Sequence, residues 1–431
     1  MLFRSGKKYM KKRFGYKNAY NGRLFLLCWI AYFSTYICRL NFSAVMPELL
    51  GSGAFTQSET AAVSSAFFIC YGAGQLFSGV LCDKISARLL IFAGVLFSGL
   101  SNLFIFLFSE SYTALLVLWA LNGIAQSLVW APILKLAGDY YNEGEKVKFG
   151  VDISTTVPLG TLASYGVSLV TLLFAEWRYV FAVCGALVII AAVYWFIGTS
   201  GLKKIPKVEN RMDEAIQTAP TAVSGKKLVK ILLISGTAAL MIPIAIQGTL
   251  KDSVTQWIPT FLEGNYNMGT SLSLLLTMVL PVINVTGAYL AKALNKKLKN
   301  ELATSAAFFG IAAAFLILLM TAGTKIAVLA LICMAGITNS MFAINVMLIT
   351  MVPLHFPKYG RTGTVGGLLN AVAYIGCGLL NMGAGAILET DDGWRALFIL
   401  WLALAAAAAI ITILCVKPWK KFTHVPNSYG E

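Results

Sequence analysis

Two cations hold matched places in two apolar stretches of this chain. Arg39 lies within Leu24–Leu50 and Lys251 within Leu228–Leu262, and each stands eight residues before a proline (47 − 39 = 259 − 251 = 8). A charged side chain near the centre of a bilayer costs at least about 3 kcal/mol on insertion scales, so by default it turns inward and marks a functional site. Arginine offers a rigid fork of donors suited to phosphate or carboxylate, and lysine a compact point charge. In water-poor surroundings two such cations repel until an anion bridges them, which points to one central anion site. The opposing reading makes them structural ion-pair partners of Asp152 or Asp252. Asp252 directly follows Lys251, and adjacent side chains on a helix do not face each other. The anion reading is therefore favoured.

Other polar residues recur at helical spacing. Tyr36, Asn41 and Ser43 share the stretch of Arg39; Gln247, Asp252, Ser253, Thr255 and Gln256 share that of Lys251. Gln126 and Trp130 are one turn apart and share a helix face. They are candidates to line a cavity, although the small residues around them equally serve close helix packing. Lys135, further on, is placed to snorkel towards an interface. Asn339, Asn345, Asn370 and Tyr374 add polar groups late in the chain, where Gly366, Gly367, Gly376 and Gly378 read as packing residues. Residues 79–88 fit the pattern G-x-x-x-D-[RK]-x-x-x-[RK], with Asp83 and Arg88 placed to hold helix ends together in one conformer and release them in another.

These residues need a membrane to make sense. The 431 residues are 58% hydrophobic and 12% charged, with mean hydropathy +0.75. That is too apolar for a soluble protein. Roughly twelve runs reach the ~20 residues that cross a bilayer core as a helix. The expected class is an all-α membrane protein. Eight Lys or Arg precede the first run (Arg4, Lys7, Lys8, Lys11, Lys12, Arg13, Lys17, Arg23), and further cations follow every second run. The alternate loops 51–59, 109–111, 263–268 and 389–393 contain none. The positive-inside rule then places both termini in the cytoplasm and requires an even number of spans.

Net charge is +15. No aromatic-interleaved basic segment exists to read bases, so nucleic acid is not an expected partner; the cations flank spans, set topology and touch anionic lipid. The N-terminal basic region resembles that of a signal peptide, but no small-residue cleavage site follows, so a retained first span is expected. The eight cysteines sit in or at the ends of apolar runs with no C-x-x-C pair, and the two histidines are far apart. Neither a metal site nor a cofactor is expected.

The long polar stretch 200–227 reads as a cytoplasmic linker. It separates an N-terminal bundle, 1–199, from a C-terminal bundle, 228–431, each of six spans. The halves also align. A shift of 212 places Arg39 on Lys251 and Pro47 on Pro259; a shift of 213 places Gly123-Ile124-Ala125-Gln126-Ser127 on Gly336-Ile337-Thr338-Asn339-Ser340; a shift of 217 places Trp177-Arg178 on Trp394-Arg395. Ordered matches with slowly drifting offsets signal an internal duplication.

Several motifs carry a family resemblance. Arg39-Leu40-Asn41-Phe42-Ser43-Ala44-Val45-Met46-Pro47 and the Asp83–Arg88 loop resemble segments of the organophosphate:phosphate antiporters of the major facilitator superfamily. So do Asn122-Gly123 with Gln126, Trp130 and Pro132, and Trp257-Ile258-Pro259. The resemblance implies a twelve-helix major facilitator fold of two pseudo-symmetric six-helix bundles. It also implies that Arg39 and Lys251 bind phosphate, with Tyr71 and Tyr374 in the cavity. The family's second-span lysine is Gln75 here, the lysine after its first arginine is Leu40, and that lysine's acidic partner is Gln256. The implied cavity is less cationic, and its substrate is a phosphate ester, a phosphonate or a carboxylate.

The expected activity is exchange of a small organophosphate for inorganic phosphate by alternating access. The expected setting is the cytoplasmic membrane of a bacterium, with the protein a monomer. A proton-coupled anion or drug carrier, with Asp152 or Asp252 titrating, is one rival; a sugar-phosphate receptor that does not transport is another. No residue constellation points to an enzyme.

Overall fold

The computed structural model describes residues 16, 19–201, 223–356, 359 and 361–424. The expected linker 200–227 falls largely outside them. In the first half the helices are α1 Ala19–Gly51, α2 Gln57–Lys84, α3 Ala87–Leu107, α4 Tyr112–Tyr140, α5 Glu143–Ser154, α6 Thr156–Phe174 and α7 Arg178–Gly198. In the second they are α8 Gly225–Ile234, α9 Met241–Tyr266, α10 Thr270–Thr277, α11 Val279–Leu298, α12 Glu301–Thr321, α13 Ala327–Asn345, α14 Thr362–Leu388 and α15 Gly393–His424.

Short polar loops start these helices. The hydroxyl of Thr56 accepts from the Glu59 backbone N–H while the Glu59 carboxylate accepts from the Thr56 backbone N–H, a reciprocal cap at α2. Ser86, Ser111, Asn142, Ser224 and Asn300 cap α3, α4, α5, α8 and α12 with a single side-chain acceptor.

Eleven spans among the described residues are long and apolar enough to cross a membrane. The twelfth span, α9, falls short on composition, because it carries Gln247, Lys251, Asp252 and Gln256 within its length. Most of α9 is buried inside the protein rather than facing lipid, so it does not need a uniformly apolar surface. The stretch expected to run unbroken over 228–262 is divided. Gly236 adopts φ +79° between α8 and α9, a left-handed conformation that glycine takes without steric cost.

The two halves meet along α2 and α14, which run antiparallel. A Cβ on Gly378 would lie 2.8 Å from the Ser65 carbonyl oxygen, and one on Gly385 2.6 Å from that of Gln57. The backbones thus approach as closely as small residues allow. The close approach extends inward to Gly72, where a Cβ would lie 3.1 Å from the Ala371 carbonyl oxygen. At Gly79 and Gly367, towards the lysine-rich side, an added Cβ would meet nothing within 4 Å. The halves are sealed together on the lysine- and arginine-poor side. Gly367 is therefore not a packing residue, whereas Gly376 packs against Ala245 and Gly378 against Ile69 and Ser65.

Candidate anion-binding site

A cavity of about 100 Å³ lies between the halves, walled by residues of α1, α2, α4 and α6 on one side and of α9, α10, α11, α13 and α14 on the other. Its charged lining consists of Arg39, Lys251 and Asp252. The two cations that sequence pairs across the repeat therefore share one chamber.

The placement of Arg39 follows from a fault in α1. Cys38 leaves helical geometry (φ −92°, ψ 19°), which takes its carbonyl out of the helix ladder. A freed buried carbonyl needs a donor. Asn122 Nδ2 donates to it at 2.7 Å and Gln126 Nε2 at 3.1 Å. The other end of the same Gln126 amide accepts from Arg39 Nε at 2.9 Å. Three rings surround the guanidinium carbon, Tyr71 at 4.4 Å, Tyr36 at 4.8 Å and Phe67 at 5.4 Å from their centroids. Cation–π contacts gain strength when desolvated. They hold the charge here without consuming its hydrogen-bond donors. Among the described residues Arg39 makes no other side-chain hydrogen bond than that of Nε, so both Nη groups remain for a ligand.

Lys251 is held differently. Its Nζ lies 5.3 Å from the centroid of Tyr374 and 3.3 Å from Asp252 Oδ2. The expectation that adjacent side chains point apart does not hold here: both charges line the same chamber. The pair stands at ion-pair distance but outside hydrogen-bond geometry, and Asp252 Oδ2 has no hydrogen-bond partner.

Towards the lysine-poor side the chamber is closed by contacts between the halves. Ser43 Oγ donates to the Gln256 carbonyl at 2.8 Å, and Gln256 Nε2 donates to Ser64 Oγ. Pro259 cannot donate to the carbonyl four residues earlier; that carbonyl, on Thr255, accepts from Tyr165 Oη at 3.4 Å. Asn381, whose Oδ1 accepts from Ser253 Oγ at 2.7 Å and Trp257 Nε1 at 2.9 Å within its own half, donates through Nδ2 across to Ser65 Oγ at 3.5 Å. Further out, Glu389 accepts from the Ser58 backbone N–H at 2.9 Å.

The remaining candidates are distributed as follows. Tyr374 lines the chamber. Tyr71 lies beneath the Arg39 guanidinium and meets Tyr374 edge to face at 4.6 Å. Gln126 is not on the wall; it sits behind Arg39 and sets its position. Trp130 packs on Tyr32 at 4.8 Å, away from the chamber lining. Asp152 is also outside that lining, 2.6 Å from Lys148 and hydrogen-bonded by Tyr16 Oη at 3.1 Å. Arg88 donates to Thr199 Oγ1 at 2.9 Å and to the Phe196 carbonyl at 2.8 Å, bracing α3 on the end of α7. The side chain of Asp83 lies outside the described ones. Lys135 does not snorkel but donates to the Cys82 carbonyl, tying α4 to the end of α2. Sequence reasoning missed the ring from Phe67 and the bridging role of Asn381; neither residue type at its position announces its partner on another helix.

The chain matches the Major Facilitator Superfamily over residues 28–381, and it belongs to that family. It is an integral, multi-pass membrane protein. Its sequence is 26% identical over 198 residues to a probable hexose phosphate transport protein of Chlamydia muridarum, covering 46% of this chain and 42% of that protein. It is 27% identical over 171 residues to the membrane sensor protein UhpC of Escherichia coli K12, covering 40% and 39%. Over 427 residues it is 22% identical to the glucose-6-phosphate exchanger SLC37A2 of Bos taurus, covering 86% and 84%. The chain thus spans about two fifths of the length of the first two relatives. The motifs quoted above resemble the organophosphate:phosphate antiporter branch, and the relatives found are named as a hexose phosphate transport protein, a membrane sensor and a glucose-6-phosphate exchanger. The fold is shared with an inward-facing bacterial homologue of the human lysosomal transporter Spinster (TM-score 0.77, 16% identity, 95% and 99% coverage). It is shared also with a D-xylose–proton symporter (TM-score 0.72, 14% identity, 91% and 97% coverage).

Proposed function

We propose that this protein is a secondary transporter that exchanges a small organophosphate for inorganic phosphate. The observation that carries the reading is the meeting of Arg39 and Lys251, one from each half, on a single buried chamber. An anion bound there is gripped by both halves at once. Loading relieves the repulsion between the cations and so favours conformers in which the halves close around the anion, which couples binding to reorientation. The empty carrier lacks that relief and reorients slowly, so exchange outpaces net flux. Tyr374 and the ring of Tyr71 shape the chamber. Asp83 and Arg88 act at the cytoplasmic ends of helices, stabilising one conformer without touching the substrate. The membrane is the cytoplasmic membrane of a bacterium, with both termini inside.

The reading is tested in proteoliposomes loaded with phosphate and offered radiolabelled phosphate outside. Uptake that requires internal phosphate supports it; no phosphate binding or exchange by a folded protein rejects it. A proton-linked carrier is the second reading, and the presence of Asp252 in the chamber favours it. There the uptake would follow an imposed proton gradient instead.

A further inference from the structure

The charged lining of the chamber sums to +1, from Arg39, Lys251 and Asp252. A phosphate monoester dianion would leave that sum at −1 in a site with little water, and an uncompensated buried charge is costly. Asp252 is also incompletely used. It lines the chamber, its side chain is about three-quarters covered at 24% exposure, and its Oδ2 lies 3.3 Å from Lys251 Nζ without making a hydrogen bond. A carboxylate in that position asks for a donor from the chamber side. The donor cannot be far from the phosphoryl group, because the same turn of α9 supplies both Lys251 and Asp252.

Resting on the exchange reading above, we infer that the organic substrate is zwitterionic: a phosphonate or phosphate ester bearing an ammonium group two or three bonds from its anionic head. Arg39 and Lys251 hold the head, and Asp252 accepts from the ammonium. Such a substrate adds a net charge near −1 and brings the chamber close to neutrality. The surrounding rings of Tyr36, Phe68 and Tyr374 suit the short carbon chain.

The test compares 2-aminoethylphosphonate with n-propylphosphonate, in which a methyl replaces the ammonium at nearly equal size. Both compete against radiolabelled phosphate in phosphate-loaded proteoliposomes of the full chain. Wild type should prefer the amino compound by about tenfold or more, the scale of one hydrogen bond between charged groups. Within Asp252→Asn the preference, read as the ratio of the two competitors' inhibition, should narrow to about twofold whatever the variant's own rate of phosphate exchange, since the amide keeps the size but loses the charge. Phosphate exchange with no preference for the amine in wild type overturns this inference alone and leaves Asp252 as a counter-ion of Lys251. Absence of phosphate exchange overturns the proposed function and this inference with it. The wild-type comparison decides the matter even where the variant fails to fold.

Discussion

The amide of Gln126 joins Arg39 to the break in its own helix: Oε1 accepts from Arg39 Nε at 2.9 Å, and Nε2 donates to the Cys38 carbonyl at 3.1 Å. One side chain therefore satisfies the carbonyl that the kink exposes and orients the guanidinium that the kink presents. Gln126→Leu removes both bonds and leaves a buried carbonyl with Asn122 as its remaining donor. Phosphate affinity is expected to fall roughly 10–100-fold, the scale of one hydrogen bond to a charged group. Gln126→Glu should weaken binding too, because its carboxylate would occupy Arg39 as a substrate does. Titration calorimetry with inorganic phosphate, beside a thermal melt to verify folding, checks both. Wild-type affinity in Gln126→Leu would show that Arg39 is positioned by its aromatic neighbours alone.

Much of this was legible beforehand, and the boundary of legibility is physical. The pairing of Arg39 with Lys251 shows in the sequence because duplication preserves both residue type and spacing. The spans show because lipid demands apolar length. α9 is the span that composition conceals, since burial inside the protein relaxes that demand. Gln126 and Trp130 share a helix face in sequence, yet only Gln126 reaches the site; periodicity gives the face but not the neighbour that covers it, here Tyr32. The proximity of Lys251 and Asp252, 3.3 Å between Nζ and Oδ2, is not contained in the rule that neighbours on a helix diverge. The contacts that seal the halves, such as Ser43 to Gln256, join residues more than 200 positions apart and are set by tertiary packing.

Lys251 and Asp252 make a second prediction, with opposite consequences for stability and binding. Removing one partner of a buried ion pair leaves the other uncompensated. Their side chains are 18% and 24% exposed, so the cost is smaller than for a fully enclosed pair, roughly 1–2 kcal/mol. Lys251→Gln should therefore lower the melting temperature and abolish phosphate binding. The double variant Lys251→Gln/Asp252→Asn should regain most of the stability and none of the binding. Melting curves and calorimetry on the four proteins complete the cycle. A double variant that binds phosphate would remove Lys251 from the clamp.

The close approach of α2 and α14 yields a third. At Gly378 a Cβ would lie 2.5 Å from Ile69 Cγ1 and 2.8 Å from the Ser65 carbonyl oxygen. A leucine there cannot be accommodated while the two helices touch, because backbone atoms cannot step aside as a flexible side chain does. Gly378→Leu is expected to favour conformers opened on the lysine-poor side and to slow exchange about tenfold or more, a population shift of at least ~1.4 kcal/mol. Gly367→Leu, where an added Cβ meets nothing within 4 Å, is the control and should exchange near the wild-type rate. Labelling of a cysteine introduced at Ser64 by a membrane-impermeant maleimide, applied from outside, reads the conformer directly: it should rise in Gly378→Leu. Unchanged labelling and rate would mean that α2 and α14 do not part during the cycle.

Coupling is the remaining question, and the acids of the chain decide it. Asp252 is the acid that lines the chamber, whereas Asp152 sits outside it against Lys148 and Tyr16. Proton symport requires an acid whose protonation changes between conformers, with its affinity for the proton tuned by burial and neighbours. Lys251 stands at 3.3 Å from Asp252, so the acid of the chamber already faces a cation of its own helix. Exchange needs only that Arg39 and Lys251 be occupied in both directions. Uptake should therefore depend on phosphate inside the vesicle, rise with its concentration, and continue in the presence of a protonophore. The decisive arm uses vesicles with no internal anion and an imposed inward proton gradient. Little accumulation is expected there. Strong accumulation that disappears in Asp252→Asn would make Asp252 the coupling group and the protein a proton-linked carrier.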